Sequence, residues 1–447
     1  MKKRWTALLL ALAMLSALAV GALADEQKKD ESAAETAQTT PDAAGTLSFE
    51  NLGARMKEKS YALLALEDSI ALVESTDYEK VEQELRDGLN EIADAQWGMT
   101  SLGSVGTAAL SSPMAGSPDA SDHALAGAVN AVGGAVGRLA SQSLQTQYDA
   151  LRERFDDVRD GKLQRDNEGV VRQLKSMENN TVQMMQNVYI TLLGLEEQSA
   201  ALARQDAALD RTLAELELRY QLGQISTMTL EQAKAGKIQL ESGKATLDMN
   251  ITALRRQLNA MVGEELTAPL TLGALPAVTA EQLSAMDVEK DLEKAKAASY
   301  DLYAAKKTLD DADEEYDDSG AKSYYNERDY KKVQARHKWQ SAQYTYNATV
   351  QKYELTFRSL CDKVKDCAQI LSAAKVSLEC ERSDLAAAQL KYEQGTISEN
   401  ALHTAEDELY TAQDTVSGAE RDLFTAYNNY RWAVEYGLLA GGGGLKR

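Results

Sequence analysis

The chain has 447 residues, 69 of them acidic and 48 basic, for a net charge of −21. That acid excess disfavours nucleic acid as a partner, because phosphate recognition needs clustered Lys and Arg. A hydrophobic content of 44 % excludes a chain that is disordered throughout.

Lys2, Lys3 and Arg4 precede an apolar run from Ala7 to Val20, and Ala22-Leu23-Ala24 is a small-residue cleavage site. Residues 1–24 therefore read as a secretory signal peptide, cut before Asp25. The mature protein is therefore expected to be exported. No later segment has eighteen apolar residues in a row, so no transmembrane helix is expected.

Residues 25–46, polar and Ala/Thr-rich with Pro41 and Gly45, read as a flexible leader. A first helix starts near Leu47-Ser48-Phe49-Glu50, with the stripe Phe49, Leu52, Met56, Leu63, Leu66 and Ile70, and a second helical run spans about 77–97. From residue 98 to 140 Gly, Ala, Ser and two Pro dominate, which predicts a loop or a loop plus a small-residue helix.

The Pro lie at 41, 113, 118, 269 and 276, leaving two long Pro-free stretches that permit very long helices. The first predicts one unbroken helix from about Ser143 to Leu222, with a stripe at Leu174, Met177, Thr181, Met184, Val188, Leu192 and Leu195. The stretch after it is a cleaner heptad: Leu240, Lys244, Leu247, Ile251, Leu254, Leu258 and Met261. This stripe is expected to pack against neighbouring subunits. Pro269, Gly273 and Pro276 mark a linker over 264–280.

A second helical half is expected over 281–437, ahead of a Gly-rich tail at 438–447. Its first helix runs from about Ala280 to Asp310. The acidic run 310–315 and a turn at Asp318-Ser319-Gly320 follow; the oxygen spacing of a calcium loop is absent. Tyr residues crowd in behind it. Residues 344–350 alternate like a strand, but Trp339, Ala342, Tyr346, Val350, Tyr353, Phe357, Leu360 and Val364 keep helical spacing too long for one. Cys361, Cys367 and Cys380 cannot close a disulfide framework, and Cys361 and Cys367, six apart, are expected on different helix faces. No metal site, cofactor or nucleophile–base pair is indicated, so no enzyme is expected.

The most informative feature is a self-match. Leu218-Arg219-Tyr220-Gln221-Leu222-Gly223-Gln224-Ile225-Ser226 recurs as Leu390-Lys391-Tyr392-Glu393-Gln394-Gly395-Thr396-Ile397-Ser398, and Leu230 then meets Leu402. Each copy reads as a sharp helix–turn–helix. Gly ends the first helix in a left-handed conformation, and Ser226 or Thr229 in one copy, and Ser398 in the other, caps the second. Thr229 to Gln232 also fits a capping box.

These turns resemble the helix tips of the outer-membrane efflux protein family, the TolC-like proteins, as does the opening 47–52. The resemblance implies an all-α chain of long antiparallel coiled-coil hairpins in two repeated halves. It implies a homotrimer with four helical strands per subunit in a twelve-stranded tunnel in the cell envelope (outer membrane or periplasm in a two-membrane cell, the surface in a single-membrane one), working with a periplasmic adaptor protein and an inner-membrane transporter in efflux or type I secretion. The implied partner contacts are Gly223, Ile225, Ser226, Leu230, Gly395, Ile397, Ser398 and Leu402. Two features depart from the family pattern. Thr229 and Ala401 stand where it has Asp. Of the two places where it has membrane β-strands, 98–140 is Gly/Ala/Ser-rich with no aromatic residue between Trp97 and Tyr148, and 310–345 is acidic and helical, so the strands are expected to be absent or vestigial. The alternative reading is an extracytoplasmic coiled-coil scaffold without a pore.

Overall fold

The computed structural model describes residues 42–43, 45–102, 144–322 and 330–439. The expected signal peptide, most of the leader and of the 98–140 insert, and the tail beyond Leu439 lie outside the described residues. So do Tyr324 and Tyr325.

The described chain is nearly all helix. Helices α1 (Phe49–Lys59), α2 (Tyr61–Glu74) and α3 (Tyr78–Leu102) are followed by α4 (144–159), α5 (Lys162–Gln221) and α6 (Thr227–Met261). The second half holds α7 (Ala280–Ser284), α8 (Val288–Ala298), α9 (Tyr300–Lys322), α10 (Tyr330–Glu393) and α11 (Glu399–Tyr436). Two-residue strands β1 (Thr46–Leu47) and β2 (Thr271–Leu272) pair in parallel and tie the start of α1 to the linker. Where the resembled family has its second pair of membrane strands, residues 310–322 and 330–345 are helical.

Local chemistry sets the helix starts. Ser48, Thr279 and Asp287 cap α1, α7 and α8 through side-chain oxygens, and Thr279 with Gln282 forms a capping box. Asp42 adds a second layer at α1, accepting from the Ser48 N–H at 2.9 Å and the Asn51 amide at 2.9 Å.

Four expectations are corrected. The helix leading to the first tip breaks at Gly161, which is left-handed (φ 71°), because Gly tolerates that conformation where other residues resist it. The helix expected over 280–310 is three helices, interrupted after Ser284 and at Ser299. The Asp318-Ser319-Gly320 turn is instead the last part of α9. On α5, Met177 and Met184 are exposed, and the buried stripe is Val182, Met185, Tyr189 and Leu192.

The long helices pack side by side in the order α6–α5–α11–α10, each antiparallel to the next. The heptad on α6 faces α5 of the same chain: Leu247 and Leu258 are buried, and Ile251, Leu254 and Met261 pack against the α5 core residues. The expectation that this stripe meets another subunit is thus replaced by an intrachain seam. The α10 stripe behaves as read, with Tyr353, Phe357 and Val364 buried.

Two apolar cores lie at the tip-distal end of this layer. One gathers Leu47, Phe49, Leu52, Met56, Val182, Tyr189 and Leu258; the other Leu292, Ala295, Tyr353, Phe357, Cys361 and Val364. Helix α11 serves both, sending Phe424 and Trp432 to the first and Leu423 and Tyr430 to the second. Cys361 and Cys367 share the second core, correcting their assignment to separate faces, and burial pushes the Cys361 thiol up to about 11.

A buried tyrosine pins each core. The Tyr189 hydroxyl lies 2.8 Å from both the Leu47 and the Gly273 carbonyls, and that of Tyr353 lies 3.0 Å from Ala295 O and 3.2 Å from Gly437 O. A second duplication becomes visible here. Helices α1 and α8 both have 11 residues, and both end at a buried Ser with nearly the same backbone, Ser60 (φ −74°, ψ 116°) and Ser299 (φ −72°, ψ 118°).

Candidate functional site

The two repeated turns form the tip-side end of the layer. At the first, α5 stops at Leu222, Gly223 is left-handed (φ 71°), and the N–H groups of Gly223 and Gln224 donate to the carbonyls of Tyr220 and Arg219. At the second, Gly395 (φ 69°) and Thr396 donate to Tyr392 and Lys391 in the same pattern. Paired bonds of this kind satisfy the last carbonyls of a helix and reverse the chain within four residues.

Ser226 and Ser398 then start the return helices. Ser226 Oγ accepts from the Thr229 N–H and Ser398 Oγ from the Ala401 N–H, both at 3.2 Å. The cap is therefore Ser226, and Thr229 acts as the third helical residue. The box read at 229–232 does not form the helix start.

The expected contact residues divide by burial. Gly223, Gly395, Ser226 and Ser398 are exposed, and a methyl group on either Gly would meet open space. Ile225, Ile397 and Leu402 are half-buried, and Leu230 is buried. The sequence reading missed the apolar shoulders. Leu218 and Leu390 are 57 % and 59 % exposed, and Tyr220 and Tyr392 are both 40 % exposed, so the two tips present matching surfaces. Leu222 and Met228 extend the first one. Their recurrence in the two copies, Leu218 with Leu390 and Tyr220 with Tyr392, is visible in the sequence, but their exposure is not.

Both tips sit at the same end of the layer, because α5 and α11 run antiparallel. A ladder of ion pairs fixes their register: Glu197 with Arg421, Arg204 with Asp414 at 2.5 Å, and Arg211 with Asp407 at 2.6 Å. The rungs are seven residues apart on α5 and on α11, the spacing at which a residue returns to the same side of a supercoiled helix. Nearest the tips, the Asn400 amide donates to Glu215 at 2.7 Å and joins one hairpin to the other. Gly194 makes room for the Arg421 guanidinium, which a Cβ there would meet at 3.0 Å.

Away from the tips, the Tyr430 hydroxyl donates to Asp291 at 2.5 Å, and Lys294 pairs with the same carboxylate. Burial alone would raise the Asp291 carboxyl. Hydrogen bonds from Tyr430, Lys294 and the Asp287 N–H outweigh it and hold the group below the ordinary carboxylate range. Among the described residues no group of His, Cys, Asp and Glu is placed to hold a metal ion, and no helix is long and apolar enough to cross a membrane.

Solved structures similar to this chain are outer-membrane proteins and channels. The outer membrane protein VceC of Vibrio cholerae is 15 % identical with a TM-score of 0.41, over 60 % of this chain and 74 % of that one. The MtrE outer membrane channel of Neisseria gonorrhoeae is 13 % identical at 0.38, over 62 % and 73 %. CusC, described in connection with folding and transmembrane channel formation, is 13 % identical at 0.43, over 91 % and 98 %. No protein-family model matches the chain, and no curated protein matches it.

Proposed function

We propose that this chain is an exported, non-catalytic wall subunit of an envelope conduit for efflux or secretion, similar to the TolC-like tunnel proteins. Three copies would close a tunnel, with the paired tips docking an adaptor protein that leads to an inner-membrane transporter. One observation carries this reading: two near-identical turns, at matched exposure, end the same side of a layer made of four long helices. Such a layer encloses nothing by itself, and its free edges are α6 and α10.

The subunit supplies shape rather than bond chemistry. The ladder between α5 and α11 keeps the two tips level, and the exposed Leu218, Tyr220, Leu390 and Tyr392 give a partner apolar area to bury. The competing reading is a scaffold in which the turns only close two hairpins.

Leu222→Arg with Gln394→Arg separates the two, since both positions are exposed and occupy the same place in the two turns. Ser226 and Ser398 are poorer choices because they cap helices. The conduit reading expects unchanged helicity and oligomer size, with adaptor crosslinking and export both lost. Survival of crosslinking and export would leave the scaffold reading in place.

A further inference from the structure

A cavity of about 460 Å³ lies between linker residues 272–278 and helices α5, α10 and α11. The linker is held on both sides of it. The Gly273 carbonyl accepts from Tyr189, and Thr279 caps α7. Leu272 and Leu275 pack against the first core, and Val278 packs against both. Apolar walls come from four places: Leu193 on α5, Leu275 and Pro276 in the linker, Leu371 on α10 and Leu423 on α11. The volume falls within the range of about 300–1,000 Å³ that small-molecule sites occupy.

The charged residues of the cavity form two ion pairs, Glu197 with Arg421 and Lys375 with Glu420 at 3.0 Å. Their charges sum to zero, but they differ in what they leave unbonded. Lys375 and Glu420 are open to water, with side chains 55 % and 53 % exposed, whereas that of Arg421 is 24 % exposed. The Arg421 guanidinium lies against Gly194, where a Cβ would meet Cζ and Nε at 3.0 Å, so its place is fixed. Nη1 donates to Glu197, while Nε and Nη2 make no hydrogen bond among the described residues. Those two nitrogens form the side edge of the guanidinium, whose parallel N–H groups match the two oxygens of a carboxylate.

We propose that this cavity is a binding site for one aliphatic carboxylate, its chain among Leu275, Leu371 and Leu423 and its two oxygens on Nε and Nη2 of Arg421. Burying the chain takes apolar surface out of water. The head group satisfies donors that partial burial leaves unmatched, which is where a hydrogen bond to a charged group contributes most. An alkylammonium of the same length fills the cavity equally well but has no acceptor for the Arg421 edge and adds a third cation beside Arg421 and Lys375. Every lining residue belongs to one chain, so the site stands whether or not copies assemble into a conduit.

The test is isothermal titration calorimetry of the full mature chain with decanoate and with decylammonium, each below its micelle concentration. Decanoate is expected to bind saturably at one per chain, and decylammonium not to bind saturably. Arg421→Lys keeps a cation beside Glu197 but loses the paired edge, and is expected to weaken decanoate about tenfold or more, the loss of one hydrogen bond to a charged group. Ala277 is an exposed linker residue at the cavity, and Ala277→Trp is expected to abolish binding by filling the space. It carries the test if Arg421→Lys fails to keep its helicity. Arg204→Lys, the same change on the next rung of the ladder, is expected to bind decanoate normally. The proposal is overturned by an absence of saturable binding, by equal binding of decylammonium, or by equal weakening in Arg204→Lys. A decanoate affinity unchanged in Ala277→Trp overturns it as well, and one unchanged in a folded Arg421→Lys removes the head-group contact on which it rests.

Discussion

Gly437 lies against the backbone of Ser299: a methyl group on Gly437 would overlap the Ser299 Cα and N. The other half repeats the contact, where a Cβ on Gly263 would fall 2.7 Å from the Lys59 Cβ, next to Ser60. Both glycines are left-handed, at φ 68° and 71°. In each half, the end of the returning long helix is thus seated on the Ser break of the leading short helices.

These contacts separate two kinds of glycine. Gly437→Ala and Gly263→Ala combine the left-handed penalty with overlap, and each should cost about 3 kcal/mol or more. Gly223→Ala and Gly395→Ala meet open space at the tips and should cost about 1 kcal/mol. Denaturant unfolding of the four variants checks the order; equal losses would show that the seats on Lys59 and Ser299 contribute nothing.

Asp291 makes the second core acid-sensitive. Its carboxyl is held below the ordinary range, so its contribution is complete above the unfolded value and is lost as pH falls through the folded one. From pH 7 to 5 no change from this group is expected, and the loss begins near the ordinary Asp value of about 4. Asp291→Asn should lower the melting temperature at pH 7 and flatten its fall between pH 5 and 3. Parallel melting curves for the two proteins over that range would contradict this.

The α5–α11 ladder is half-exposed, so each rung should be weak. A double-mutant cycle on Arg204→Ala and Asp414→Ala should give a coupling of about 0.5 kcal/mol that fades at high salt. A salt-independent coupling of several kcal/mol would mean that the rung is shielded in a way its 36 % and 42 % side-chain exposures do not show.

The buried and exposed sides of α6, a free edge of the layer, should respond differently to truncation: Leu247 is buried and Met249 is 70 % exposed. Leu247→Ala removes a buried side chain and should cost the chain itself about 2–4 kcal/mol. Met249→Ala should leave the unfolding of dissociated chains unchanged and weaken only association, which sedimentation reads. The assignment fails if Met249→Ala destabilises the isolated chain as much as Leu247→Ala does.

Much of this was legible in the sequence, for identifiable reasons. The heptads of α6 and α10 and the repeated Gly-x-Ile-Ser turns follow from local periodicity and from the backbone that Gly permits, so they survive folding unchanged. What the sequence hid depends on tertiary context. Met177 and Met184 fit a helical stripe as well as Val182 and Met185 do, and only the position of the neighbouring helices decides which side is buried. The Ser60 and Ser299 breaks follow helix-favouring residues and carry no Gly or Pro. The α6 heptad was visible, but not whether its partner was the same chain or another. At the tips the glycines and caps could be read, while burial of Leu230 and exposure of Tyr220 and Tyr392 could not.

The most direct test of the central claim is the mass of the mature full-length protein at micromolar concentration, measured by light scattering and sedimentation equilibrium. A wall subunit with two free edges is expected to sediment as a closed trimer that does not grow with concentration. A stable monomer, or an open series of ever larger species, would contradict it.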